Sequence, residues 1–253
     1  MRSDGHRRLK PSAAMLAALV GLIGLPSRAW AGPPFITDDP EPVELHHWEF
    51  YLAEIGTYSA DSVFTTAPHV EMNYGALPNL QLHIIAPMAY SASNGQSHYG
   101  YGDTEIGAKY RFLEEGDDVP QIGVFPLAEV PTGNAAQGLG SGQLQFFLPV
   151  WLQKSWGPWT TYGGGGYWIN PAPGNQNWWF GGWMLQRDFS DALTLGGELY
   201  AQTAATAGGD GALAFNVGGQ WNLSDEHHIL FSVGRSLVGP VFYTSYFAYQ
   251  LTI

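Results

Sequence analysis

From His47 to Ile253 the sequence repeats one pattern: about nine to twelve residues whose polarity alternates at every second position, then a cluster of turn-forming residues. Tyr101 to Phe112 displays it most clearly. Asp103, Glu105, Lys109 and Arg111 occupy odd positions, whereas Ile106, Ala108, Tyr110 and Phe112 occupy even ones. Successive side chains of a strand point to opposite sides, so this segment has one charged and one apolar face. The same split separates Leu80, Leu82, Ile84, Ala86 and Met88 from Gln81 and His83, and Leu144, Phe146, Leu148, Val150 and Leu152 from Gln143, Gln145 and Gln153. Beyond the N-terminal region, Gly, Pro or a polar residue interrupts every apolar run before it reaches the roughly 20 residues of a helical membrane span.

Two all-β architectures use such alternation in opposite senses. A soluble sandwich or barrel turns the apolar face inward; a transmembrane barrel turns it to lipid and keeps the polar face in the lumen. Strands are expected near residues 47–58, 64–74, 80–91, 101–112, 121–130, 143–154, 159–169, 178–189, 193–203, 212–223, 228–237 and 242–253. That makes twelve, an even number, as a bacterial single-chain barrel requires. Connections at one end are mostly short: Gly75 to Asn79, Leu113 to Pro120, Ser155 to Pro158, Ser190 to Ala192 and Ser224 to His227. Those at the other end, Ala92 to Gly100, Pro131 to Gly142, Asn170 to Asn177 and Ala204 to Gly211, are longer and rich in Gly, Asn, Gln and Ser. Short periplasmic turns and long outer loops are the transmembrane-barrel arrangement. Trp156, Trp159 and Trp221 near one set of strand ends, and Trp168, Trp178 and Trp179 near the other, fit the aromatic belts of such barrels. The alternating Phe247, Tyr249, Leu251 and Ile253 of the last strand resemble an insertion signal.

Residues 1–31 have the three parts of a secretory signal: basic Arg2, Arg7, Arg8 and Lys10, apolar Ala13 to Leu25, and a small-x-small site at Ala29-Trp30-Ala31. Its removal takes five of the ten basic residues and one of the 22 acids, leaving a net charge of −16. An acidic chain without cysteine is neither a nucleic-acid binder nor a disulfide-stapled domain. Three parts follow: a signal peptide over 1–31, a proline-rich acidic leader over 32–46 and the barrel over 47–253. The leader cannot form a strand along its length. It either folds back into the lumen as a small plug or trails in the periplasm.

Gly32-Pro33-Pro34-Phe35-Ile36-Thr37-Asp38-Asp39-Pro40-Glu41-Pro42 followed by His47-Trp48-Glu49-Phe50-Tyr51, together with Gly102-Asp103-Thr104-Glu105-Ile106-Gly107-Ala108-Lys109-Tyr110-Arg111-Phe112, resembles the bacterial outer-membrane family named for the meta pathway of phenol degradation. Its members are described as transporters or channels. The resemblance implies a barrel and uptake of aromatic or other small hydrophobic compounds.

Projecting the alternation inward puts His69, Glu71 and Asn73 in the lumen, with His83, then Asp103, Glu105, Lys109 and Arg111, then Glu129, and finally Glu198, Tyr200 and Gln202. These charges either line a narrow aqueous path and set ion preference or pair with one another in a filled interior. Glu49 and Glu54 fall on opposite faces, so a bulge is expected in the first strand. The pairs His46-His47 and His227-His228 cannot chelate one metal, because strand neighbours diverge. Gly163 to Gly166 lacks the Gly-Lys-Ser/Thr ending of a phosphate loop and suits close packing instead. A lipid-modifying enzyme would have to be built from His69, His83 and Ser91, which no spacing motif unites. A non-conducting structural barrel is the other alternative. The expectation is therefore an all-β, transmembrane antiparallel barrel of about twelve strands. It sits in the outer membrane of a Gram-negative bacterium, surrounded by its lipids, and passes small solutes passively without a cofactor.

Overall fold

The computed structural model describes residues 34–253, and the expected signal peptide lies outside them. Fourteen strands run in chain order: β1 (Trp48–Ser59), β2 (Ser62–Leu77), β3 (Leu80–Ser93), β4 (Gln96–Tyr101), β5 (Thr104–Leu113), β6 (Gln121–Val124), β7 (Leu127–Val130), β8 (Gln145–Trp156), β9 (Trp159–Ile169), β10 (Trp178–Ser190), β11 (Leu193–Gln202), β12 (Ala212–Asn222), β13 (His227–Val238) and β14 (Phe242–Thr252). Two pairs among them are halves of single wall strands. β4 and β5 both pair with β3 and are separated at Gly102-Asp103, while β6 and β7 both bridge β5 to β8 and are separated at Phe125-Pro126. Counted by wall, the sheet has twelve antiparallel strands. It closes where β1 meets β14, in register from Glu49↔Thr252 to Ser59↔Phe242. Closure removes the free edges that an open sheet of this width would leave unpaired.

Polarity is distributed as in a transmembrane barrel rather than a soluble one. Gln81, Gln153, Asn216, Glu198 and Lys109 are buried, whereas Leu52, Leu199, Trp221, Val233 and Phe247 on the opposite faces of the same wall are more than half exposed. Trp156 and Trp221 stand exposed at the short-turn rim, and Arg187 lies 5.4 Å from the Trp159 ring there. Tyr243, with Arg235 stacked at 5.5 Å, marks the outer face near the long-loop rim.

Three details differ from the sequence expectation. Residues 92–100 are not a loop: β3 continues to Ser93 and β4 starts at Gln96, joined by an Asn94-Gly95 turn whose two positive φ angles, 53° and 75°, match the twist of the flanking strands. Trp168 and Trp178 do not face lipid; they stack on each other at 5.4 Å inside the barrel, and of the three only Trp179 stands exposed. The wall is also broken at Phe125-Pro126, where Pro126 offers no N–H and its carbonyl accepts from Ala108 instead.

The expected irregularity of the first strand falls between Ala53 and Ile55, opposite a shift between Thr66 and His69 where Pro68 cannot donate. Glu54 pairs with outward-facing Phe247, and its carboxylate is held by the hydroxyls of Tyr58 at 3.0 Å and Ser245 at 3.1 Å. Along Gly163 to Gly166 a side chain would collide with β8 or β10: added carbons would meet the Val150 and Phe180 carbonyls and the Pro149 backbone.

Candidate functional site: a leader-filled lumen with two cavities

The leader folds into the barrel. Its path is held by wall side chains that reach its backbone, the main recourse for a proline-rich segment that joins no sheet through most of its length. At its barrel-proximal end Leu45 bridges Gly75 and His46 donates to the Gly75 carbonyl at 2.7 Å. Val43 N–H then donates to Gln81 at 2.9 Å. Glu41 accepts from the amides of Gln121 and Gln153 at 3.2 and 3.1 Å and lies 3.8 Å from Arg111. Asp38 and Asp39 flank the Lys109 ammonium at 3.0 and 3.6 Å. Ile36 and Thr37 present consecutive N–H groups to the two oxygens of Glu198 at 2.9 and 2.8 Å, and Asn216 also donates to Glu198. Phe35 packs on Tyr162 and Met184, and the Pro34 carbonyl accepts from Ser232 at 2.6 Å. The leader thus touches β3, β5, β6, β8 and β9 to β11 before ending against β13.

Two wall glycines make this path possible. A side-chain carbon at Gly75 would strike the Glu44 carbonyl, and one at Gly182 would strike the Thr37 hydroxyl. Burial pushes the Asp39 carboxyl up from the ordinary carboxylate range, and Lys109 beside it pulls it back.

Two cavities remain beside the leader. The outer one, about 550 Å³, opens toward the long-loop rim and is lined by Phe147, Trp151, Trp168, Trp178, Phe180 and Phe242. These rings interlock: Phe147 stacks on Trp168 at 4.8 Å and meets Phe180 edge-on at 6.2 Å. Ile36, Asp38, Thr57, Phe125, Leu127 and Thr244 line both this vestibule and an inner cavity of about 460 Å³. The inner one lies between the leader and the wall of β1, β2, β3 and β14 and is strongly acidic, with Glu49, Glu71 and Glu105 on its lining.

The residues singled out from sequence fall into three groups. His69, Glu71, His83, Glu105 and Lys109 line the inner cavity. His83 there bridges Asn73 at 2.7 Å and Glu105 at 2.9 Å, while Asn73 donates to Glu71 at 2.8 Å. Arg111 and Glu198 face inward too, but both serve the leader or the rim: Arg111 binds Asn79 at 2.7 Å as well as Gln121 and Glu41. Asp103 and Glu129 line a third pocket under the long loop 131–144. Asp103 spends its carboxylate on that loop, accepting from Gly133 N–H, Ser141 N–H and the Ser141 hydroxyl. Sequence reasoning missed the vestibule aromatics. Phe147 and Trp151 sit on the polar face of the β8 alternation, which was the available signal.

His69 bonds Thr66, and Ser91 lies against Gly138, so the three residues an enzyme reading would need do not converge. His227 stacks on Tyr249 while His228 turns to Asn222, as divergent strand neighbours must.

No family model matches the chain, and no curated protein matches it either. Solved structures do. An outer-membrane channel from Pseudomonas putida F1 superposes with a TM-score of 0.66 at 16% identity, over 88% of this chain and 100% of that one. The NanC porin follows the same course with a TM-score of 0.57 at 7% identity, covering 80% of this chain and 98% of that one. The translocator domain of the autotransporter NalP from Neisseria meningitidis gives 0.54 at 10% identity, over 81% and 87%. The chain therefore has the fold of an outer-membrane β-barrel.

Proposed function

We propose that this protein is an outer-membrane channel that admits small aromatic or otherwise apolar solutes passively, with a lumen held closed by its own leader. The observation that carries this reading is the vestibule of interlocked rings inside the barrel. A channel for ions alone gains nothing from placing Phe147, Trp151, Trp168 and Trp178 against its lumen, whereas an aromatic solute gains stacking contacts worth about 0.5–1.5 kcal/mol per pair. The vestibule adjoins the inner cavity through shared lining residues, and leader residues Ile36 and Asp38 are among them, so a solute entering from the long-loop side meets the leader there. The likeness to an outer-membrane channel and a porin supports a transport role. In this reading the short-turn rim is periplasmic and the signal peptide is removed.

The test uses the ion current of the leader-deleted barrel in a planar bilayer. Benzyl alcohol added on the long-loop side is expected to interrupt the current, and Trp168→Ala with Trp178→Ala to shorten the interruptions. Interruptions equally long with xylose, or unchanged in the double variant, would remove the support for an aromatic route.

A further inference from the structure

The inner cavity has a chemistry that the aromatic vestibule does not explain. We infer that it is a binding site for a small organic ammonium ion, whose amine is held by the carboxylates of β1, β2 and β5 and whose body packs on Phe125 and Ile85. This inference deepens the channel reading and rests on it for access from outside.

Its first support is a charge balance. Glu49, Glu71 and Glu105 line one cavity, and among the described residues one close donor bonds each: Tyr51 at 2.8 Å, Asn73 at 2.8 Å and His83 at 2.9 Å respectively, with His83 also 3.6 Å from Glu71. A carboxylate offers about four acceptor positions, so most of that capacity faces the cavity. The lysine on the same lining, Lys109, is already committed to Asp38 and Asp39 across the leader.

The second support is independent of charge. The Nε2 of His69, a residue that lines this cavity and is only 8% exposed, is buried without a hydrogen-bond partner. The Tyr246 hydroxyl, on β14 at the other side of β1, is likewise buried and unpartnered. Orphaned polar atoms cost free energy, and groups of this kind in a cavity are satisfied when a ligand arrives. In the tautomer whose Nδ1–H donates to Thr66, Nε2 presents a lone pair, which an ammonium can fill.

Shape selects an organic cation over a bare one. Among the described residues no three His, Asp or Glu side chains converge closely enough to hold a metal ion. The acids are instead spread around a cavity of about 460 Å³, within the usual size range of small-molecule sites, and Phe125, Leu127, Ile55 and Ile85 supply apolar lining. Phe125 already carries the Lys109 ammonium 5.0 Å from its ring centroid, so this part of the wall accommodates a cation against an aromatic.

Three probes of one size separate the possibilities: benzylammonium, benzyl alcohol and benzoate, titrated calorimetrically into the refolded protein at neutral pH and low salt. Benzylammonium is expected to bind at least about tenfold more tightly than the alcohol, since one charge-assisted hydrogen bond outweighs a neutral one by that much, and benzoate to bind least. Glu71→Gln and, separately, Glu49→Gln should each reduce the preference several-fold while leaving heat-modified gel mobility unchanged. Rim variants Asp225→Asn and Glu226→Gln should leave it intact. Equal binding of ammonium and alcohol overturns the inference, and so does a preference that survives both cavity substitutions or disappears with the rim acids. If benzyl alcohol interrupts the current but no ammonium preference exists, this site is refuted and the channel stands. Ammonium binding in the refolded protein, with a leader-deleted barrel that passes no current, supports the site and refutes the channel.

Discussion

Replacing Glu198 by Gln should release the leader from the far wall. The residue is 3% exposed and its two oxygens accept from the N–H groups of Ile36 and Thr37, 162 and 161 residues earlier in the chain. Hydrogen bonds to a charged acceptor contribute about 1.5–3 kcal/mol each and neutral ones about 0.5–1.5; the Gln amide loses one bond outright and keeps the other as a neutral one, which together removes about 3 kcal/mol. The docked-to-undocked ratio then falls by about 150-fold. The sequence has no cysteine, so Thr37→Cys introduces a unique thiol at a fully buried leader position. Its maleimide labelling rate in the refolded barrel reads undocking directly, because the docked side chain sits against Gly182. Labelling should accelerate by about two orders of magnitude in the Glu198→Gln background. A rate within twofold of the parent would refute the idea that these two bonds hold the leader.

Other consequences follow from the same contacts. Lys109→Met leaves Asp39 fully buried with no counter-charge, which should cost about 3–5 kcal/mol and appear as faster labelling at Thr37→Cys and a lower unfolding temperature on heated gels. Gly182→Val places a side chain where the Thr37 hydroxyl lies, so labelling should accelerate while the barrel itself keeps its gel mobility. Asp103→Ala removes the acceptor for two loop N–H groups and the Ser141 hydroxyl, and should make residues 131–144 a protease-sensitive site within an intact barrel.

Most of the wall could be read from the sequence because the period of two is imposed by the barrel itself, with lipid on one side and a polar lumen on the other. β5 and β8 carry this pattern clearly, and their boundaries lie within a few residues of those expected. The signal fails where that constraint relaxes. Beyond the membrane band β3 and β4 lean on each other rather than on lipid, so Ala92 to Gly100 reads as a polar loop although Asn94-Gly95 is a hairpin turn. Tryptophan is ambiguous for a different reason: it suits an interfacial belt and a lumen ring equally well, and only pairing registers such as Phe147↔Trp168 and Trp168↔Trp178 decide which face it takes. The fate of the leader had no periodic signal at all. It depends on Glu198, Lys109, Gln81 and Gln121 converging from distant strands, and each of these looks in sequence like any other inward polar residue.

The most direct test of a lumen closed by its own leader is conductance in a planar bilayer, comparing the protein that begins at Gly32 with one lacking residues 34–44. An almost silent barrel is expected when the leader is present, and steady, discrete current steps when it is absent. Equal conductance from the two proteins, with both correctly folded, would contradict it.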